Sequence, residues 1–216
     1  QHLMELLLFC KSMLLGLAVA APLGPIGVLC ISRALERGFW AGVAGGLGTA
    51  LADAIYACLA AIGFSALTAT LATLAPWLKL AGGLFMLWLG CKSLRPNPRR
   101  AAAPAPTNEF RELSGTIAAT FLLTLTNPVT IFSFAAMFAG LGLTDFPGAT
   151  NALAVVAGVF LGSLLWWFLL SGGVALAQRR LPEGFSLCVS RMSGVILMGF
   201  GFYALGSLLY TVILQP

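Results

Sequence analysis

Charge is what this sequence has least of. Lysine, arginine, aspartate and glutamate make up 9% of its 216 residues while 59% are hydrophobic, and soluble domains carry about 25% charged residues. So little polar surface cannot cover a globule in water; the chain is expected to be an integral membrane protein with the lipid bilayer as its first partner. Histidine is represented by His2 alone. The five cysteines, Cys10, Cys30, Cys58, Cys91 and Cys188, are odd in number and unpaired in spacing. That excludes a disulfide framework, and they read as small core residues. Hard or borderline cations need several convergent carboxylate, His or Cys ligands, so no metal is expected, nor any cofactor. The net charge of +5 does not imply nucleic acid, because basic excess in a membrane protein collects in cytoplasmic loops.

An uninterrupted first span is also missing. Ala18 to Cys30 reads AVAAPLGPIGVLC and places Pro22, Gly24 and Pro25 within an apolar run. Proline removes a backbone donor and clashes with the preceding turn, so the segment is predicted to be a broken helix. Irregular backbone at membrane depth is tolerated only inside protein or along a cavity, and paired broken helices point to a transporter's substrate site. Thr124 to Thr130, TLTNPVT, supplies the second interruption at Asn127 and Pro128. Residues Leu3 to Ala20 end in an Ala-Val-Ala resembling a signal-peptide cleavage site, but Glu5 and Lys11 contradict that pattern; the segment reads as the first span.

Taking about 20 apolar residues per crossing, six spans are predicted, near 3–34, 39–66, 71–93, 114–141, 151–177 and 187–213. Arg33, Arg37, Lys92, Arg95, Arg99, Arg100, Arg111, Arg179, Arg180 and Arg191 fall in alternate loops; Lys11 and Lys79 fall on the other side. The positive-inside rule then makes those loops cytoplasmic and both termini periplasmic. PNPRRAAAPAP, from Pro96 to Pro106, has no helical period and reads as a connector. The expected organisation is a first three-helix repeat over 1–95, a cytoplasmic linker over 96–112 and a second repeat over 113–216. Three spans per half forces the halves into opposite orientations, the inverted-repeat arrangement of many transporters. The fold class is therefore an all-α membrane protein of six transmembrane helices in two inverted repeats, with helices 1 and 4 broken.

In the second span Gly38, Gly42 and Gly46 recur every four residues, a spacing that lets helices approach closely. The same stripe continues to Thr49, Asp53 and Tyr56. Asp53 is the only acid deep inside a predicted span, where a charge costs about 2.5 to 3.5 kcal/mol on insertion scales. Helix rise places Pro25, Asp53 and Asn127 each roughly 15 to 21 Å from the cytoplasmic ends. Asp53 is therefore assigned to face the first break and exchange a proton; the structural alternative is a carboxylate that only satisfies the break's amides. The helix N-termini at the breaks suit a carboxylate. Trp166 and Trp167 read as core packing, with cation–π contact to a substrate ammonium as the alternative. Gly158 and Gly162 are compatible with a homodimer or with internal packing.

Pro22-Leu23-Gly24-Pro25, the run from Arg37-Gly38-Phe39 through Gly48 to Asp53 and Tyr56, and Asn127-Pro128 together resemble the LysE/RhtB family of bacterial amino-acid exporters. The resemblance covers nearly the whole chain. It implies a secondary transporter of the inner membrane, not an enzyme, that exports amino acids or related metabolites by proton-coupled antiport. The residues it marks for substrate are Pro22, Gly24, Pro25, Asp53, Asn127 and Pro128, to which the stripe adds Thr49 and Tyr56. Ile26 stands where many members carry a polar residue, which shifts the expected substrate from a basic amino acid toward a neutral or apolar one and adds Ile26 to the predicted contacts. Two rivals are a divalent metal-ion exporter of related fold, for which one Asp is too few, and a CcdA-type thiol-redox carrier. The second would need a cysteine opposite Cys30, and there is none between Ser114 and Leu141.

Overall fold

The computed structural model describes residues 2–22, 24–94, 109–127, 130, 131, 133, 134, 149–178, 180 and 185–214. Its long helices are α1 (His2–Ala20), α2 (Pro25–Arg37), α3 (Phe39–Leu94), α4 (Glu109–Leu125), α5 (Ala149–Gln178) and α6 (Phe185–Leu214). Among the described residues there is no strand. Lipid offers a backbone no hydrogen bonds, so runs this apolar satisfy their own amides as helices. Phe39–Ala61, Asn151–Ala177 and Cys188–Tyr210 are long and apolar enough to cross a bilayer, and the bent pair Glu5–Ala20 with Pro25–Arg37 has the length and apolarity of a broken span or a re-entrant loop.

The predicted first break is present. The axes of α1 and α2 differ by 82°. Gly24 caps α2 in extended conformation, with proline directly after it, where the missing N–H would have had no helical partner anyway. The helical ladder then starts with Val28 N–H donating to Gly24 O at 3.1 Å. At the other end of α2, Gly38 has φ +87°, a conformation costly for any residue with a Cβ. Its N–H bonds Ala34 O at 2.9 Å, and α3 starts on the next residue. Glycine is what allows two helices to meet at that elbow with no loop.

Two helices are expected over 39–66 and 71–93. Helical structure runs unbroken for 56 residues, with Pro76 inside it. No glycine or proline lies between Gly63 and Pro76, so no breaker residue marks a turn in that stretch. A straight helix of this length would reach ~84 Å. Yet Tyr56 bonds Leu125, and a Cβ at Gly82 would meet Thr126 at 2.9 Å. The run therefore doubles back between Tyr56 and Gly82, and its two arms both face α4. The linker expected over 96–112 is shorter at its far end, since α4 already begins at Glu109. The rest of it and Pro128 lie outside the described residues.

Small residues set the packing. A Cβ at Gly158 would meet Phe9 O at 2.6 Å, and Gly162 and Gly16 are closer still to backbone of the facing helix, so α5 and α1 touch main chain to main chain. The stripe read as compatible with a dimer is thus occupied inside the protomer. Gly83 and Gly90 of α3 oppose Gly201 and Gly194 of α6 in the same way. Lipid tails are as apolar as leucine, so van der Waals fit of this kind, not burial from water, holds such helices together. Outward-facing Leu153, Leu176, Tyr203, Trp40 and Trp77 are exposed, as lipid-facing residues should be. The cysteines differ from expectation: Cys30 is buried, but Cys10, Cys58, Cys91 and Cys188 are exposed, all five unbonded. A thiol is apolar enough to face lipid as readily as core.

Candidate functional site

Along α3, Asp53 stands between Gly46, which packs on Trp167, and Tyr56, which packs with Phe134, Val155 and Val159. The two cores that result, one around Ile26, Leu123 and Trp167 and the other around Leu8, Leu15 and Phe134, leave a small cavity. Its volume is about 150 Å³, and it is lined by Pro22, Gly24, Pro25, Ile26, Thr49, Asp53, Thr124, Asn127 and Thr130 among others. Both interruptions of the chain and the buried acid therefore share one space. Of the predicted substrate contacts, Pro22, Gly24, Pro25, Ile26, Thr49, Asp53 and Asn127 line it.

Asp53 is 1% exposed. Its Oδ2 accepts a 2.7 Å hydrogen bond from Ser163 Oγ of α5, while Oδ1 has no partner among the described residues. An unpaired buried carboxylate oxygen costs free energy unless something fills the role. Beside it, Thr49 Oγ1 donates to Gly45 O at 3.3 Å and Thr124 Oγ1 donates to Thr120 O at 2.8 Å, the two hydroxyl oxygens being 3.4 Å apart. Both residues line the cavity, and each hydroxyl oxygen keeps a lone pair able to accept a further hydrogen bond.

The second break is built by Asn127. Its N–H bonds Thr124 O at 3.2 Å, and its carbonyl accepts from Ile131 N–H at 3.3 Å, restarting the helix. The end of α4 leaves carbonyls without intrahelical donors. One of them, Leu125 O, receives the Tyr56 hydroxyl at 2.6 Å. Tyr56 is not among the cavity's lining residues; it ties α3 to the broken end of α4.

Sequence reasoning missed Ser163, Ser133 and Phe200 and read Trp167 chiefly as packing. Trp167 is 2% exposed yet lines the cavity, and its Nε1–H has no partner among the described residues. The available signal was Ser163 itself, a hydroxyl in the middle of GVFLGSLLWWF with Trp167 one turn later on the same face.

The family model described as LysE type translocator matches residues 17–207. The chain is 29% identical over 203 residues to YcgF of Bacillus subtilis (strain 168), provisionally named an amino acid efflux protein, covering 91% of this chain and 94% of that one. It is 25% identical to the threonine efflux protein of Escherichia coli (strain K12), covering 92% and 97%. It is 30% identical to the chemotactic transduction protein ChpE of Pseudomonas aeruginosa, covering 94% and 100%. No solved structure matches the chain significantly.

Proposed function

The chain belongs to the LysE type translocator family, and from that premise we propose that it exports a small amino acid across the bacterial inner membrane by antiport with protons. The observation that carries this reading is the shared cavity, where backbone from both breaks meets Asp53. At about 150 Å³ the cavity is well below the 300 to 1,000 Å³ of drug-sized sites, in keeping with a small solute. Lone pairs of Thr49 and Thr124 and the bare Oδ1 of Asp53 suit an ammonium group. The first amides of α2, whose cap brings no side-chain bond, suit a carboxylate. Ile26 occupies the wall where a polar residue would favour a charged side chain, so a neutral amino acid is the preferred cargo, as in the relatives named for threonine.

Asp53 exchanges protons and substrate in turn in this scheme. Facing one side, it gives up its proton and receives the substrate's ammonium; facing the other, protonation releases the substrate and neutralises the acid for return. Ser163 holds the carboxylate in position. The chain is read as two inverted three-span halves, which the doubling back of α3 supports, with both termini periplasmic. Metal export is not favoured: among the described residues no three His, Cys, Asp or Glu converge. Thiol redox is not favoured either, since Cys30 is 1% exposed with no neighbouring cysteine to exchange with.

The test is uptake of a panel of amino acids into liposomes holding the purified protein, with and without an imposed pH gradient. Wild type should concentrate at least one neutral amino acid only under the gradient. Asp53→Asn keeps an acceptor for Ser163 and should fall to the level of empty liposomes. Gradient-driven uptake by Asp53→Asn equal to wild type would refute the coupling.

A further inference from the structure

A second and larger hollow lies between the ends of α2, α3 and α4. It has a volume of about 650 Å³, and Arg33, Arg37, Lys92 and Arg111 line it. Among the described residues the opposing acids are Glu112, 3.1 Å from Arg37, and Glu36, 3.9 Å from Arg33; four positive charges against these two leave a surplus of two. Lys92 Nζ lies 5.1 Å over the Trp88 ring, which fixes one cation in the wall. Orientation in the membrane requires basic residues on one side, but it does not require them around a concavity.

Thr116 and Thr120 line the inner part of this chamber, and Thr124 lines the Asp53 cavity. The three stand on one face of α4, one turn apart, and are 9%, 0% and 1% exposed. Each hydroxyl donates to the carbonyl one turn earlier, at 3.0, 3.1 and 2.8 Å. Every oxygen of the row keeps lone pairs able to accept a further hydrogen bond, and these match an ammonium. Across it, Gly48 packs on Thr120, and a Cβ at Gly45 would meet Cys30 Sγ at 2.8 Å, so a thin wall of small residues separates chamber from cavity.

We propose that the chamber is the entrance subsite for the exported amino acid, its cations holding the carboxylate while the ammonium leads along the threonine row toward Asp53. This rests on the export reading above and assigns residues beyond the central cavity. An anionic lipid headgroup offers similar charge, but the threonine row has nothing to recognise in it.

The probes are L-threonine and L-threoninol, which keeps the ammonium and replaces the carboxylate with an alcohol. They are presented to the basic face of protein reconstituted in phosphatidylcholine liposomes, with orientation confirmed by protease accessibility. Arg111→Gln and Lys92→Gln should each raise KM for threonine about 3- to 5-fold with kcat unchanged, and Arg111→Lys should restore it. Added salt should raise KM of wild type more than that of the double variant. Inhibition of threonine uptake by threoninol should be the same in all of them. An unchanged KM in the double variant overturns the proposal, as does an equal loss of threoninol inhibition. A thermal shift specific to phosphatidylglycerol liposomes with unchanged KM assigns the chamber to a lipid headgroup and also overturns it. If the panel identifies a different cargo, that amino acid and its amino alcohol replace the probes. Wild type that transports no amino acid refutes the export reading instead, so the two failures are distinct.

Discussion

One carboxylate, one hydroxyl and one phenol define the chemistry at the residue scale. Ser163 Oγ is the single described donor to Asp53, and a hydrogen bond to a charged group contributes about 1.5 to 3 kcal/mol. Ser163→Ala should therefore slow gradient-driven uptake by about tenfold or more and lower the melting temperature in detergent; Ser163→Thr should recover most of both. Unaltered uptake by Ser163→Ala would remove Ser163 from the mechanism. Tyr56 differs in affecting stability alone. Its hydroxyl satisfies Leu125 O, so Tyr56→Phe leaves a buried carbonyl bare, at a cost of about 1 to 3 kcal/mol. Stability measured by thermal denaturation should fall, whereas KM should hold because Tyr56 does not line the cavity.

Among the elements, glycines that look alike in sequence carry unlike burdens. Gly162 abuts the backbone of Met13, so Gly162→Leu must push α1 away from α5 and should cost at least the ~1 to 3 kcal/mol of an overpacked core. Gly206, in α6, would present a Cβ to nothing within 4 Å. Gly206→Ala should gain roughly 0.5 to 1 kcal/mol through helix propensity. Gly38, at φ +87°, should lose about 1 to 2 kcal/mol on change to Ala although no atom opposes the new methyl. Melting temperatures of the three variants side by side check the ranking; a stable Gly162→Leu would mean that α1 is not seated against α5 as described.

For the whole molecule, the gathering of Arg33, Arg37, Lys92 and Arg111 around one chamber leads us to predict that this end faces the cytoplasm and both termini face the periplasm. Cysteine labelling from either side of intact cells, at residues introduced near each terminus, should report periplasmic exposure; cytoplasmic exposure of both would invert the direction assigned to the chamber. Composition and proline placement alone established membrane residence, the break at Pro22 to Pro25 and the isolation of Asp53, because charge and missing N–H groups are costly in lipid wherever the chain later folds. Two helices are expected over 39–66 and 71–93, but where the run turns back is not legible, since no breaker residue marks the turn and only packing against α4 and α6 makes α3 double back. Tertiary structure also decided the partners. Ser163 lies 110 residues from Asp53 and Tyr56 lies 69 from Leu125, and no local period encodes such pairings. They follow from how glycine seams let helices approach, a matter of shape matched between distant surfaces, whereas the sequence by itself settles only what each residue can tolerate.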